Sequence, residues 1–357
     1  MCSSDLQSLQ VTPGGLTAGA QVTFATTIKP LRKGRTVSLQ VHDGTSWQDV
    51  GAPAATGDLG TATVVAQAPA YPVWNRVVAA AANGAPAMVA TPVRTSFTGQ
   101  APGVIAHRAG AGAAPEQTLA AVRRALADGA TAMEVDVQLT KDGFPVILHD
   151  ATLARTTDVE TKFPGRAPWN LADFTLADIK ALDAGSWFAP AFAGETIPTL
   201  DELVAEIDGR ARLVVEVKSP DLTGNETIEQ VLLEEIATGS LNGLADAGKL
   251  SFSSFDVEWL SGFAPDTDVP VGVLTYAGPT AAQLAEWKAW AEEVHPNYNL
   301  TQRSHVDAIR ANAMTTSLWT VNTVAAFQKA LELGAELVIT DYPLRLAEVL
   351  NPPMPAA

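Results

Sequence analysis

The chain is expected to fold as an α/β protein: a (β/α)8 TIM barrel with an insertion after its second strand, preceded by a small all-β sandwich. Three observations lead there. Residues 1–98 run in short alternating or β-branched stretches between Gly, Pro and Asp-Gly turn signals, the texture of an antiparallel sandwich. From about Gly103 the pattern changes to short apolar runs alternating with helical stretches, the mark of a parallel sheet wrapped in helices. There are eight such runs, and they span roughly 250 residues, the usual size of a closed eight-stranded barrel. A chain of 357 residues with 47% hydrophobic content is long enough for one large core and a second small one.

Composition excludes several function classes. The formal net charge of -16 repels nucleic-acid and lipid phosphates, so no nucleic-acid partner is expected. The single cysteine, Cys2, allows neither an intrachain disulfide nor a cysteine-rich zinc site. No apolar run reaches the roughly 18 to 20 residues a membrane helix needs, so no transmembrane segment is expected. Met1-Cys2-Ser3-Ser4 has two readings. One is a lipid anchor on Cys2, as in a bacterial lipoprotein whose signal peptide is gone, which places the protein at the cell surface or outside. The other is an idle exposed thiol.

Taken in order, the sandwich strands are carried by 21–28, 36–41 and 61–65, and Trp47 and Trp74 are expected to supply its core aromatics. This segment resembles the immunoglobulin-like modules of secreted bacterial proteins, which implies a spacer or a carbohydrate- or wall-binding module. Residues 99–103 form the expected linker, and the barrel is expected over 104–350. Its strands are Val104–His107, Ala132–Val137, Leu213–Val217, Leu250–Ser254, Val271–Thr275, Glu293–His295, Ser317–Val321 and Leu337–Thr340. Pro115 marks the start of the first crossover helix, Leu119, Val122 and Leu126 make its apolar face, and Gly129 ends it. After the second strand, Asp142-Gly143 between two extended runs predicts a hairpin that returns His149 and Asp150 toward Glu134 and Asp136. The insertion, about 138–199, is too long for an ordinary loop. Its aromatics, Trp169, Phe174, Trp187, Phe188 and Phe192, are expected to form a satellite core rather than an apolar lip.

Chemistry in a barrel sits at the C-terminal strand ends. In Glu134-Val135-Asp136 the strand period puts both carboxylates on one face, pointing inward. Glu216 and Lys218 repeat the arrangement on the third strand. Burying such a cluster of carboxylates demands a cation or a shared proton, and an all-oxygen set suits Mg2+ or Ca2+. The competing reading is a salt-bridge network with Lys218 and Arg108. His107 and His149 both fall at the active face, where a pair flanking a metal site can move a proton on and off two oxygens. Arg108 and Lys218 would hold phosphate oxygens, one by a planar fork and the other as a point charge.

These residues lie in a longer series of motifs. It runs from Ile105-Ala106-His107-Arg108 through Pro115-Glu116-Gln117-Thr118, Glu134-Val135-Asp136 and Leu148-His149-Asp150 to Leu153-Ala154-Arg155. It continues with Pro198-Thr199-Leu200, Glu216-Val217-Lys218, Trp319-Thr320-Val321-Asn322 and Ile339-Thr340-Asp341. In this order, over about Pro102 to Leu350, the chain resembles the glycerophosphodiester phosphodiesterase family. The resemblance implies hydrolysis of a small-molecule glycerophosphodiester to glycerol 3-phosphate and an alcohol. It implies His107 and His149 as acid and base, and Glu134, Asp136 and Glu216 as ligands of one divalent cation. Arg108 and Lys218 become phosphate contacts, Glu116 a supporting residue, and Trp319 an apolar wall that could equally be core packing. Two departures stand out: Ala109 where the family has Gly, and Gln117 where it has Asn. The rival readings are a phospholipase acting on lysophospholipid or sphingomyelin head groups on the same barrel, and a non-catalytic surface binding protein.

Overall fold

The structure is a computed structural model that describes residues 6–11, 21–28, 33–42, 46–67, 71–82, 86–94, 101–218 and 228–355. Cys2 and residues 99 and 100 of the expected linker lie outside the described residues, and Gly103, its last expected residue, opens the first barrel strand. The chain divides into two compact units, residues 1–101 with 346–357, and residues 102–345.

Among the described residues the first unit holds eight strands: β1 (Leu6–Val11), β2 (Gln21–Ile28), β3 (Thr36–His42), β4 (Trp47–Ala55), β5 (Thr61–Gln67), β6 (Trp74–Ala79), β7 (Met88–Val89) and β8 (Val93–Arg94). They make two antiparallel sheets, β1-β2-β5 and β4-β3-β6-β7, with β8 on β6. Strict alternation along β2 and β5 turns one face of each strand inward. Phe24, Ile28 and Val64 from one sheet then pack with Val37, Leu39 and Val77 from the other in one core. The two tryptophans expected there are elsewhere. Trp47 is half-buried under the Arg76 guanidinium, 4.1 Å from its ring centre. Trp74, also half-buried, donates its indole N–H to the carbonyl of Pro352 at 3.0 Å. A polar ring edge and a cationic neighbour hold both rings at the margin, and aliphatic side chains fill the centre.

The second unit is a closed parallel barrel. Its strands are β9 (Gly103–Ala106), β10 (Ala132–Leu139), β12 (Arg212–Val217), β13 (Leu250–Ser254), β14 (Val271–Thr275), β15 (Glu293–Pro296), β16 (Thr315–Leu318) and β17 (Leu337–Thr340), with β11 (Pro145–Ile147) antiparallel on β10. The order β10-β12-β13-β14-β15-β16-β17-β9 closes through pairing of β9 with β10. Every β10 residue is buried, but in two environments. Met133, Val135 and Val137 pack outward with Ala121 and Val122 of the helix Leu119–Ala127. Ala132 joins Ile105, Val214 and Ile339 inside the barrel, and the period of two sends Glu134 and Asp136 the same way.

Several boundaries differ from expectation; β16 runs Thr315–Leu318 rather than the expected Ser317–Val321. The first crossover helix begins at Leu119 rather than Pro115, because Gln117 takes φ 61 and a left-handed residue cannot propagate a helix. Thr118 caps the helix instead, accepting from the amide of Ala121 at 3.2 Å. Strand β9 stops one residue early, and His107 opens the 3-10 turn His107–Ala109.

In the insertion, the expected hairpin is present as β10 and β11, with Val137 opposite Ile147. Phe174 is fully buried in a satellite core with Val146, Leu153 and Ile179, and Trp169 packs on it. Trp187, Phe188 and Phe192 form a separate edge-to-face chain at 5.7 and 5.6 Å, with Trp187 exposed. The satellite core thus takes in only part of the expected aromatic set.

Candidate active site

Strand register builds the charged centre. Asp136 on β10 lies opposite Glu216 on β12, and Glu134 sits one inward position below Asp136. One carboxylate oxygen from each of the three falls within 4.8 Å of the others. The Lys218 ammonium is 2.5 Å from both Asp136 Oδ1 and Glu216 Oε1, and Gln117 donates its amide to Asp136 Oδ2. The longer side chain at 117 is thus aimed at the acidic cluster.

Burial and Asp136, against the pull of Lys218, push Glu216 up to about 8. Burial and Asp136 also raise Glu134, whose Oε1 is buried without a partner. Asp136 is held below the ordinary carboxylate range: burial opposes this, and Lys218, His149 and Arg108 outweigh it. Lys218 is raised despite its burial by Asp136 and Glu216. One lysine does not neutralise three buried carboxylates. The unpartnered Glu134 Oε1 and the clustering of three carboxylates suit an all-oxygen site for a hard divalent cation.

Each histidine is fixed by a carboxylate on its Nδ1. His107 Nδ1 is 2.5 Å from Asp341 Oδ1, at the end of β17. Asp341 is held in turn by the side-chain amide of Asn322 at 2.5 Å, and its own backbone N–H donates to Asn322 Oδ1 at 2.9 Å. Burial opposes charge on His107, but Asp341 and the charge of Glu134 outweigh it and lift the imidazole above its usual value. His149 Nδ1 is 2.7 Å from Asp150 Oδ1. Gln138 pins the flanking backbone, donating to the carbonyls of Leu148 at 2.6 Å and Asp150 at 3.0 Å. With Nδ1 engaged, each ring leaves Nε2 for chemistry.

Arg108 adopts φ 50, which turns its amide onto Glu134 Oε2 at 2.8 Å while its guanidinium meets Glu116 Oε1 at 2.9 Å. Glu116 is also gripped by Arg155 through both oxygens at 2.9 and 2.7 Å, and Arg155 reaches Asp150 at 2.5 and 2.9 Å. A chain of hydrogen bonds and ion pairs therefore links His149, Asp150, Arg155, Glu116 and Arg108. It holds Asp150 far below the usual carboxylate range, through the His149 hydrogen bond and then, against burial, Arg155. Glu116 is lowered as well, because its two arginines outweigh its burial.

All this opens on one cleft of about 510 Å3, continuous with solvent. His107, Arg108, Glu134, His149, Glu216 and Lys218 line its charged side, and Phe255, Leu274, Trp319 and Ile339 its apolar side. Trp319 both lines the cleft and packs, edge-on to Phe255 at 5.5 Å, with its indole N–H donating to the carbonyl of His295 at 2.6 Å. The motif reading left Asp341, Arg155 and Asn322 without roles. Their sequence signal is their place in the motif series, which does not say what each one holds.

Residues 107–345 match the model of the glycerophosphoryl diester phosphodiesterase family. The chain belongs to the glycerophosphodiester phosphodiesterase family. The phosphodiesterase is 34% identical to a Caldanaerobacter subterraneus glycerophosphodiester phosphodiesterase, over 70% of this chain and 97% of the relative. It is 32% identical to one from Bacillus subtilis, over 67% of this chain and 83% of the relative. Among solved structures it resembles an Oleispira antarctica phosphodiesterase in complex with the product sn-glycerol-3-phosphate. That likeness has 31% identity and a TM-score of 0.57, covering 70% of this chain and 97% of the other. The family match falls within the barrel unit, and the chain is an enzyme of that class.

Proposed function

We propose that the chain hydrolyses glycerophosphodiesters to sn-glycerol 3-phosphate and an alcohol, with one divalent cation, Mg2+ or Ca2+, held by Glu134, Asp136 and Glu216. The observation that carries this reading is the pairing of two carboxylate-fixed histidines with a three-carboxylate cluster in a single cleft. When bound, the cation supplies polarisation of the phosphoryl group and neutralises its charge.

The chain's own residues do the rest. Arg108 and Lys218 hold the non-bridging phosphate oxygens. One of His107 and His149 takes the proton from the neighbouring glycerol hydroxyl as it attacks phosphorus, and the other protonates the departing alkoxide, each through Nε2, which leaves a cyclic glycerol phosphate. Water, deprotonated by the second histidine, then attacks phosphorus while the first returns its proton to the glycerol oxygen that leaves, and the ring opens to sn-glycerol 3-phosphate. Glu116 keeps Arg108 in place, and Trp319 walls the apolar side.

The test is release of glycerol 3-phosphate from glycerophosphocholine and glycerophosphoethanolamine with Mg2+, with Ca2+ and with chelator. Cation-dependent release that drops by about 100-fold or more in folded His107→Ala supports the reading. No release with either cation from folded protein sinks it and directs the assay to lysophospholipids.

A further inference from the structure

The apolar side of the cleft is built on aromatic rings and not on aliphatic side chains alone. Phe255 follows β13 and Trp319 follows β16, so both stand at C-terminal strand ends beside the charged centre, and both line the cleft. Their ring centres are 5.5 Å apart and their planes meet at 89°, which makes a corner of two perpendicular π systems. Tyr276, just past the end of β14, stacks on Phe255 at 4.7 Å and 23° and meets Trp319 edge-on at 5.9 Å and 71°. It is 68% exposed, so it backs the corner from the solvent side.

Two features say what such a corner takes. The Trp319 indole N–H is committed to the carbonyl of His295 at 2.6 Å, so the ring is fixed in orientation and brings its π system, not a free donor, to the cleft. Among the described residues, the side chains of Phe255, Leu274, Trp319 and Ile339 on that side carry no acceptor oxygen, whereas the cleft's carboxylates, Glu134 and Glu216, belong to the acidic cluster. A primary ammonium placed against the rings would shed its water and find nothing to accept from its N–H groups. A quaternary ammonium has no N–H to satisfy: its methyl groups bury against the rings, and its charge is attracted to their faces. A neutral group of the same shape gains the burial without the attraction.

The geometry points to Phe255, Trp319 and Tyr276 as a subsite for a quaternary ammonium head group, making choline the leaving alcohol that the site selects over ethanolamine. The inference rests on the phosphodiesterase reading above. There the phosphate and the attacking hydroxyl take the charged side of the cleft, which leaves the aromatic side to the departing alcohol.

The experiment compares hydrolysis of glycerophosphocholine, glycerophosphoethanolamine and the glycerol 3-phosphate ester of 3,3-dimethylbutanol, the uncharged isostere of choline, by the Mg2+-loaded full chain. The choline ester is expected to show a kcat/KM about tenfold above either of the others. In Phe255→Leu its advantage over the isostere should shrink to about twofold or less. Either rival ester cleaved as well as the choline ester by wild type, or an advantage that survives Phe255→Leu unchanged, overturns the subsite, because a plain apolar wall then accounts for the rings. Because the three alcohols differ as leaving groups, the decisive readings are the change in that ratio between wild type and variant and a measurement in which no bond breaks. Calorimetric binding of phosphocholine against 3,3-dimethylbutyl phosphate to wild type is that measurement: tighter binding of phosphocholine supports the subsite, and equal affinity overturns it. If wild type hydrolyses none of the three esters, the phosphodiesterase reading fails, and the two phosphates still decide the subsite.

Discussion

Asp341 and Asp150 do for their histidines what neither imidazole can do alone, which is to settle which nitrogen faces the cleft. Asp341→Asn is expected to lower kcat by about 100-fold or more with little change in KM, because it removes the charge that orients His107; steady-state kinetics check this. Asp150 gives a pH signature. Its folded value lies below its unfolded one, so its contribution to stability is full above about pH 4 and is lost as pH falls further. Thermal melts from pH 6 to about pH 2 should therefore show the margin of wild type over Asp150→Asn shrinking below about pH 4. Ala109 shows opposing terms at one residue. At φ 61 a glycine would relieve roughly 1 kcal/mol of left-handed strain, but it would loosen the unfolded chain and give up a buried methyl, each of similar size. Ala109→Gly should thus leave stability within about 1 kcal/mol in urea titrations, whereas β-branched Ala109→Val should cost several times that.

The insertion is the element on which the second histidine depends. Strand β11 is held by β10 on one side, and the satellite core beneath the hairpin is centred on Phe174, whose carbonyl accepts from the Lys141 amide at 2.8 Å. Phe174→Ala should destabilise the protein by about 3–5 kcal/mol, and residues 141–199 should become the first site of proteolytic nicking. The helix Leu200–Ile207 that follows starts from a reciprocal cap. Thr199 Oγ1 accepts from the Glu202 amide at 3.2 Å, and Glu202 Oε2 accepts from the Thr199 amide at 2.9 Å. The hairpin turn and the eight strand cores were readable from local pattern. The start of the first crossover helix was not, because a left-handed Gln117 is imposed by its reach to Asp136 and has no local signal.

For the whole barrel unit, the acidic cluster ties stability to the cation. Three buried carboxylates with one lysine leave the folded state short of positive charge, and a cation that binds only the folded chain adds stability by mass action. At a concentration about 100 times its dissociation constant the gain is about 2.7 kcal/mol. Calorimetry should show a higher Tm with Mg2+ or Ca2+ that chelator reverses, and a Glu134→Gln/Glu216→Gln protein should be insensitive to both.

The order of apolar runs determined the parallel barrel. The period of two within Glu134-Val135-Asp136 and Glu216-Val217-Lys218 determined which side chains face its interior. Both are local properties, since a strand's alternation and a helix's apolar stripe are written in neighbouring residues. Tertiary structure alone decided which carboxylate holds which histidine, that Arg155 joins the hairpin to the first loop, and that His295 is held by Glu293 against Gly272 of the next strand. The histidine–carboxylate and Arg155–Glu116 pairings join positions as much as 234 residues apart, and only closure of the sheet and its register bring them within hydrogen-bond reach.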